Sequence, residues 1–335
     1  MDHVLIANPL ARSSLEYLTS HTSNYELCSL EFPREGLNNQ RIALFGLLTY
    51  CMENDRCALI PKFCIDHVPK PFMNSHGFFE YLLFGIKLSY YYSRVKILKP
   101  RIPLNQIFVI EHNNCSYRRS RAFQMLSFKD ALYFGFSRLK LVCNDQAYKR
   151  IFTSISFSPD ILQITADIMK HFGKSVNGSF NCVSLRLEKD WLQYINSRRF
   201  VGDRSEIKFF TKSNILNQMV LLSELTGISS FYCCADLNDL SISFTNFKIE
   251  AARYGLSLYT KRDFRLPFLS SLSSLTSASI DYLIALQSVA YLGSTRSTFS
   301  NLISLDSRIS NLTSHRDYVM NSVLNYPVLR THSIV

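Results

Sequence analysis

From residue 180 onward the chain alternates short apolar runs with longer helical ones, and this alternation restricts its fold more than any other feature. Residues 180–187 read as a strand, 214–226 as a helix, 229–235 (SSFYCCA) as a strand, 243–254 as a helix and 256–260 as a strand. A helix at 279–288, a strand at 289–292 and a helix at 298–306 continue the series. Strands separated by helices do not close as hairpins; each crossover lays the next strand parallel to the one before it. Such strands are apolar on both faces and need helices on both sides. The second half therefore reads as α/β, built on a parallel sheet.

The first half repeats the pattern less regularly. Residues 25–32 (YELCSLEF) alternate as a strand, PREGLNN turns, 40–53 forms a helix with an apolar face and 58–63 a second strand. A helix at 77–92, a strand at 106–111, a basic loop with Arg118, Arg119 and Arg121, a short helical stretch and a strand at 139–143 (LKLVC) follow. The polar, glycine-bearing stretch 170–178 places a junction between domains 1–173 and 174–335, each long enough for its own core.

Several classes are disfavoured by what the chain contains. Its most apolar window, 77–92, carries Glu80 and Lys87, so no transmembrane segment is expected. Residues 1–14 (MDHVLIANPLARSS) lack the basic and apolar regions of a signal peptide. Nine cysteines form an odd count without a C-x-x-C unit, as expected of reduced thiols, and a cytoplasmic setting is favoured. A secretory lumen is the alternative, through a leader outside this sequence. The net charge of +11 implies attraction to polyanions or phosphorylated ligands without choosing among them.

In open parallel sheets, ligands bind beyond the carboxyl ends of the strands, where helix N-termini also point. Four polar segments fall at such ends: Glu35, Gly36, Asn38 and Asn39; Arg186; Asp236; and Gly293, Ser294, Ser297 and Thr298. Arg186 offers a planar fork for phosphate, and also fits an ordinary charged strand end. Ser297 and Thr298 open a helix whose free N–H groups attract anions, although a Ser or Thr there is also the usual cap. Gly36 permits close backbone approach or a positive φ, or marks a plain turn. Asp236 can accept hydrogen bonds from a nucleoside or cap the next helix.

The segments REGLNNQR (34–41), VSLRLEKDW (183–191), FYCCAD (231–236), IDYLIALQSVAYLGS (280–294) and STFSNLI (297–303) resemble, in this order, the motifs of the GDP-fucose protein O-fucosyltransferase superfamily. The resemblance implies a GT-B architecture, two Rossmann-like domains facing a central cleft, with the nucleotide held mainly by the second. It also implies transfer of a sugar, foremost L-fucose from GDP-fucose, to a hydroxyl of a glycan or protein, with inversion and without a metal. No cofactor is implied beyond the nucleotide-sugar donor as co-substrate.

On this likeness Arg186 contacts the donor β-phosphate, and Gly36, Asn38 and Asn39 form a loop near donor and acceptor. Ser297, Thr298 and Phe299 open the phosphate-binding helix, Ala235 and Asp236 line the nucleoside, Asp281 helps hold the base and Glu35 is the candidate catalytic base. Ser184 stands where the family usually has histidine, which leaves another deoxysugar donor, such as a rhamnose nucleotide, as an alternative. Two readings from other classes stay open: a basic nucleic-acid-binding protein, from the charge, Arg118 to Arg121 and Tyr90 to Tyr92, and a non-catalytic scaffold.

Overall fold

Every strand ladder but the last is parallel among the described residues, as strands joined through helices must be. The computed structural model describes residues 27–30, 36–54, 57–59, 123–155, 157, 159–176, 178–196, 211–264, 272–294, 297–310, 316–320 and 327–329. The chain divides into two compact units, Met1–Pro159 with Val335, and Asp160–Ile334. The helix expected at 77–92, the strand at 106–111, Arg118, Arg119, Arg121 and Glu35 lie outside the described residues.

The first unit contains β1 (Leu27–Leu30), α1 (Leu37–Glu53), β2 (Cys57–Leu59), β3 (Phe123–Leu126), α2 (Phe128–Leu139) and α3 (Gln146–Ser154). Its sheet runs β2-β1-β3, all parallel. α1 is buried nearly all round, so it lies under other elements rather than on the surface. It meets α2 backbone to backbone. A Cβ at Gly46 would collide with the Ala131 carbonyl, and one at Gly135 with the Ile42 carbonyl. Phe152 of α3 packs edge-on against Phe45 at 5.4 Å between ring centroids, and the Arg41 guanidinium lies 4.6 Å over the same Phe152 ring.

One expectation is corrected here. Residues 139–143 are not a strand: Leu139 closes α2 and the following residues turn. The Leu141 and Val142 amides bond to the carbonyls of Arg138 and Leu139, which removes the donors a ladder would use, and Asp145 then caps α3 by accepting from the Ala147 amide. The strand lies instead at β3, which the sequence reading passes over, and Ser127 caps α2 directly after it.

The second unit contains α4 (Pro159–Ser175), β4 (Asn181–Ser184), α5 (Lys189–Asn196), α6 (Lys212–Thr226), β5 (Ser230–Cys234), α7 (Phe244–Ala252), β6 (Ser257–Tyr259), a 3-10 turn (Lys261–Phe264), α8 (Ser274–Ala285), β7 (Ala290–Gly293), α9 (Thr298–Ile309), β8 (Arg316–Met320) and β9 (Pro327–Leu329). The polar stretch 170–178 is the end of α4 and the turn after it. The sheet order is β6-β5-β4-β7-β8-β9, with β9 antiparallel at the edge. This is the doubly wound Rossmann order, in which the chain builds outward from β4 to one side and then restarts from β7 on the other.

Each strand divides its side chains between two cores. Val183, Phe231, Cys233 and Leu292 face a cluster with Ile215, Met219, Leu222 and Phe247 from the helices. On the other face Phe172 of α4 packs against Phe180, Tyr232, Tyr259 and Phe264 at centroid distances of 4.6 to 5.7 Å. Caps set the helix starts: Thr211, Ser243 and Ser273 accept from the amides of Asn214, Asn246 and Thr276. No helix among the described residues is long and apolar enough to cross a membrane.

The contact between α1 and α2 generates a direct test. Gly46→Ala must push backbone against backbone, so it is expected to cost at least about 1–3 kcal/mol in urea denaturation. Stability equal to the wild type would contradict the close approach.

Candidate functional site

The chain leaves β4 through an uncommon backbone conformation. Arg186 has φ 44°, the only positive φ at a non-glycine among the described residues. A left-handed L-residue costs roughly 1–2 kcal/mol, so the surroundings must hold it there. They do so by stitching the exit of β4 to the exit of β5. The Leu185 amide donates to the Cys234 carbonyl, Ser241 to Leu187 and Lys189 to Asp239, while Glu188 bridges Leu240. The Arg186 side chain is fixed as well: its guanidinium carbon lies 4.1 Å from the Trp191 ring, and Nη1 is 3.9 Å from Glu188 Oε2. Glu188 is buried, and burial raises its carboxyl above the ordinary range against the opposing pull of Arg186.

β7 is the immediate neighbour of β4, with Val183 opposite Leu292. The chain leaves it through Gly293 and Ser294 and enters α9 at Ser297. Gly293 cannot carry a side chain, because a Cβ would lie 2.5 Å from both Ser300 Oγ and a Tyr291 ring carbon. Ser300 Oγ accepts from the Ser294 amide at 3.1 Å and shares a hydrogen bond with the Tyr291 hydroxyl at 2.9 Å. The loop is thereby drawn onto the first turn of the helix. Ser297 is the N-cap residue but makes no side-chain capping bond, so its hydroxyl does not seal the helix start. Thr298 and Phe299 follow, half-buried, with Phe299 edge-on to Tyr282 at 5.5 Å. Arg186 and the positive end of α9 thus flank the point where the strand order reverses.

At the exit of β5, Ala235 is buried and Asp236 exposed. Asp236 accepts from the Asn238 amide at 3.0 Å, forming a local turn, and Asn238 Oδ1 accepts from Arg262 at 2.6 Å. Asp281 of α8 is buried beneath this region with both oxygens engaged. Oδ1 accepts from the Tyr232 hydroxyl at 2.7 Å and Oδ2 from Lys261 Nζ at 2.6 Å. Burial raises the Asp281 carboxyl, while Lys261 and Tyr232 act against that rise. The acid therefore ties α8 to β5 and to the turn after β6. Sequence reasoning missed Tyr232 and Lys261; a lysine directly after an apolar strand was the available signal for the second of these.

The first unit presents its candidates at the start of α1. Gly36 is the N-cap with φ −60° and ψ 164°, so the positive φ that glycine permits is not used. No atom lies within 4 Å of where its Cβ would stand. Asn38 is buried with Oδ1 lacking a hydrogen-bond partner, and Asn39 is half-buried. No cluster of three His, Cys, Asp or Glu able to hold a metal ion occurs among the described residues.

Comparison with known proteins gives the same outline. The profile of the family described as GDP-fucose protein O-fucosyltransferase matches residues 30–310. A crystal structure of POFUT1 in complex with GDP is similar at a TM-score of 0.52 and 16% identity, covering 86% of this chain and 98% of that one. Another, of POFUT1 in complex with GDP-fucose, is similar at 0.50 and 15% identity, covering 84% and 94%. At these identities the likeness shows the fold, which is the α/β, GT-B type that the motifs imply. No curated protein sequence matches.

The buried triad predicts an asymmetric response to mutation. Lys261→Met leaves Asp281 buried without its cation and should cost about 3–5 kcal/mol at neutral pH. Without Lys261 the folded-state carboxyl lies above its unfolded value of about 3.9, so the deficit should shrink as pH falls. Urea denaturation at pH 5 and pH 8 checks this; an equal, small loss at both would contradict the pairing.

Proposed function

Because the chain belongs to the GDP-fucose protein O-fucosyltransferase family and is a glycosyltransferase of the fucosyltransferase type, we propose that it moves L-fucose from GDP-fucose to a hydroxyl of a glycan or protein. Transfer inverts the anomeric carbon and requires no metal. One observation carries this reading: Arg186, held in a left-handed strand exit, and the unsealed start of α9 leave adjacent parallel strands at the switch point.

The chemistry needs that pair. As GDP departs, negative charge grows on the β-phosphate, and preorganised donors at that position stabilise the transition state more than the ground state. Arg186 supplies a permanent charge whose orientation Trp191 and Glu188 restrict. Thr298 and Phe299 supply backbone N–H groups, Ser297 its uncapped hydroxyl and α9 its dipole. Together they take the part a divalent ion plays in metal-dependent transfer.

The remaining roles are carried over from the family's motifs. Ala235 and Asp236 line the nucleoside at the exit of β5. Asp281, with both oxygens engaged, serves the base indirectly by fixing Tyr232 and Lys261. By the same motifs, Gly36, Asn38 and Asn39 serve donor and acceptor, and Glu35 is the base that takes the acceptor proton. The alternative donor is another deoxysugar nucleotide, such as a rhamnose nucleotide, because Ser184, a small buried residue at the end of β4, stands where the motif usually has histidine.

Thermal shift measurements with GDP, UDP, dTDP and ADP test the donor class. GDP is expected to raise the melting temperature with and without EDTA. Oligonucleotides that stabilise the chain when no diphosphate does would overturn the reading. Arg186→Ala is expected to remain folded, melting at a lower temperature because buried Glu188 loses its cation, and to lose roughly 10²–10³-fold or more in transfer below that temperature. Near wild-type transfer by this variant would remove Arg186 from the mechanism.

A further inference from the structure

One buried acid at the donor site is only partly engaged by its contact with Arg186. Glu188 is 7% exposed and stands two residues beyond Arg186. Backbone hydrogen bonds from Glu188 and Asp236 hold its carboxyl, yet Oε2 has no hydrogen-bond partner. The same oxygen is 3.9 Å from Arg186 Nη1, beyond hydrogen-bond reach, and Arg186 Nε is also buried without a partner. Donor and acceptor capacity therefore lie side by side, incompletely matched. A buried carboxylate in that position depends on nearby positive charge.

The charges around it can be named. On its own segment are Arg186, the exposed Lys189 and the exposed Asp190. The exit of β5, packed against it through the bridge to Leu240, brings Asp236 and Asp239. On α5, Trp191 contributes an uncharged ring over the guanidinium. Arg186 is thus the cation held against this carboxyl, while burial and Asp190 oppose its ionisation. A diphosphate docking on Arg186 would engage the same guanidinium and add negative charge close to Glu188.

We propose that Glu188 takes up a proton from solvent, on its unpartnered Oε2, when a nucleoside diphosphate docks on Arg186, so that donor binding is coupled to pH. The inference rests on the reading of Arg186 as the donor's phosphate clamp. Burial already favours the protonated acid, and withdrawing the compensation of Arg186 favours it further. Linkage fixes the sign: if binding raises proton affinity, lowering pH strengthens binding through the window between the free and bound titrations. Glu188 is in this sense a positioning residue. Ionised, it restrains Arg186 in the empty site; protonated, it releases the full charge of Arg186 to the ligand.

Isothermal titration calorimetry of GDP into the full chain, between pH 6 and pH 8 in buffers of differing ionisation enthalpy, counts the protons. Wild type is expected to take up as much as about one proton more than Glu188→Gln, and to lose up to about tenfold in affinity per pH unit across the window relative to that variant. The variant should bind GDP several-fold more tightly at pH 8. GDP titrates its own phosphate in both experiments, so the difference belongs to the protein. Equal proton counts and parallel pH slopes would overturn the role of Glu188 while leaving the donor reading intact; no binding of GDP to wild type would instead overturn the donor reading, and this inference with it. If Glu188→Gln fails to fold, difference infrared spectra of wild type carrying 13C-labelled glutamate decide. Conversion of a carboxylate to a carboxylic acid band on GDP binding supports the proposal, and its absence contradicts it.

Discussion

The pairing of β4 with β7 is the constraint on which the rest of the second unit depends. Because β5 and β6 build outward on one side of β4, and β8 and β9 on the far side of β7, the chain leaves these two neighbours in opposite directions. Connections that diverge from adjacent parallel strands open a crevice at their carboxyl ends. Arg186 stands on one side of that point and the start of α9 on the other. Neither needs an unusual residue type. What sets them apart is topology, together with the local means by which each is held.

Those means cost stability in both cases. Arg186 occupies a backbone region that disfavours any residue with a Cβ, and the ladder-like stitch between residues 185–189 and 234–241 holds it there. Ser297 forgoes a capping bond normally worth about 1 kcal/mol. Beneath them the Tyr232, Asp281 and Lys261 network buries charge where apolar side chains would pack at less risk. Strain and buried polarity are thus gathered at one end of one sheet, where a fold of this class binds its ligand.

The alternation from residue 180 was legible because each strand there is a short apolar run bounded by helix caps; β4, β5 and β6 fall within the runs read from sequence, and β7 overruns its own by Gly293. β8 was not, since RDYVM begins with two charged residues although Asp317 is buried, and β9 opens with Pro327, tolerated at a sheet edge. α4 carried a readable apolar stripe in Ile161, Ile168 and Phe172, but Gly173 and the polar residues around it suggested a linker. Residues 139–143 mislead because a buried Val142 fits a helix-ending turn as well as a strand. At the site, Arg186 and Ser297 could be found by position alone. Its left-handed φ, the ring of Trp191 over it and the burial of Glu188 could not, because EKD reads as a solvated charged turn until β5 is packed against it.

A crystal structure of the chain with GDP tests the central claim most directly. The diphosphate should lie against the Arg186 guanidinium and the backbone amides of Thr298 and Phe299, at the carboxyl ends of β4 and β7. A diphosphate bound elsewhere, with Arg186 still resting on Trp191 and contacting no phosphate oxygen, would contradict it.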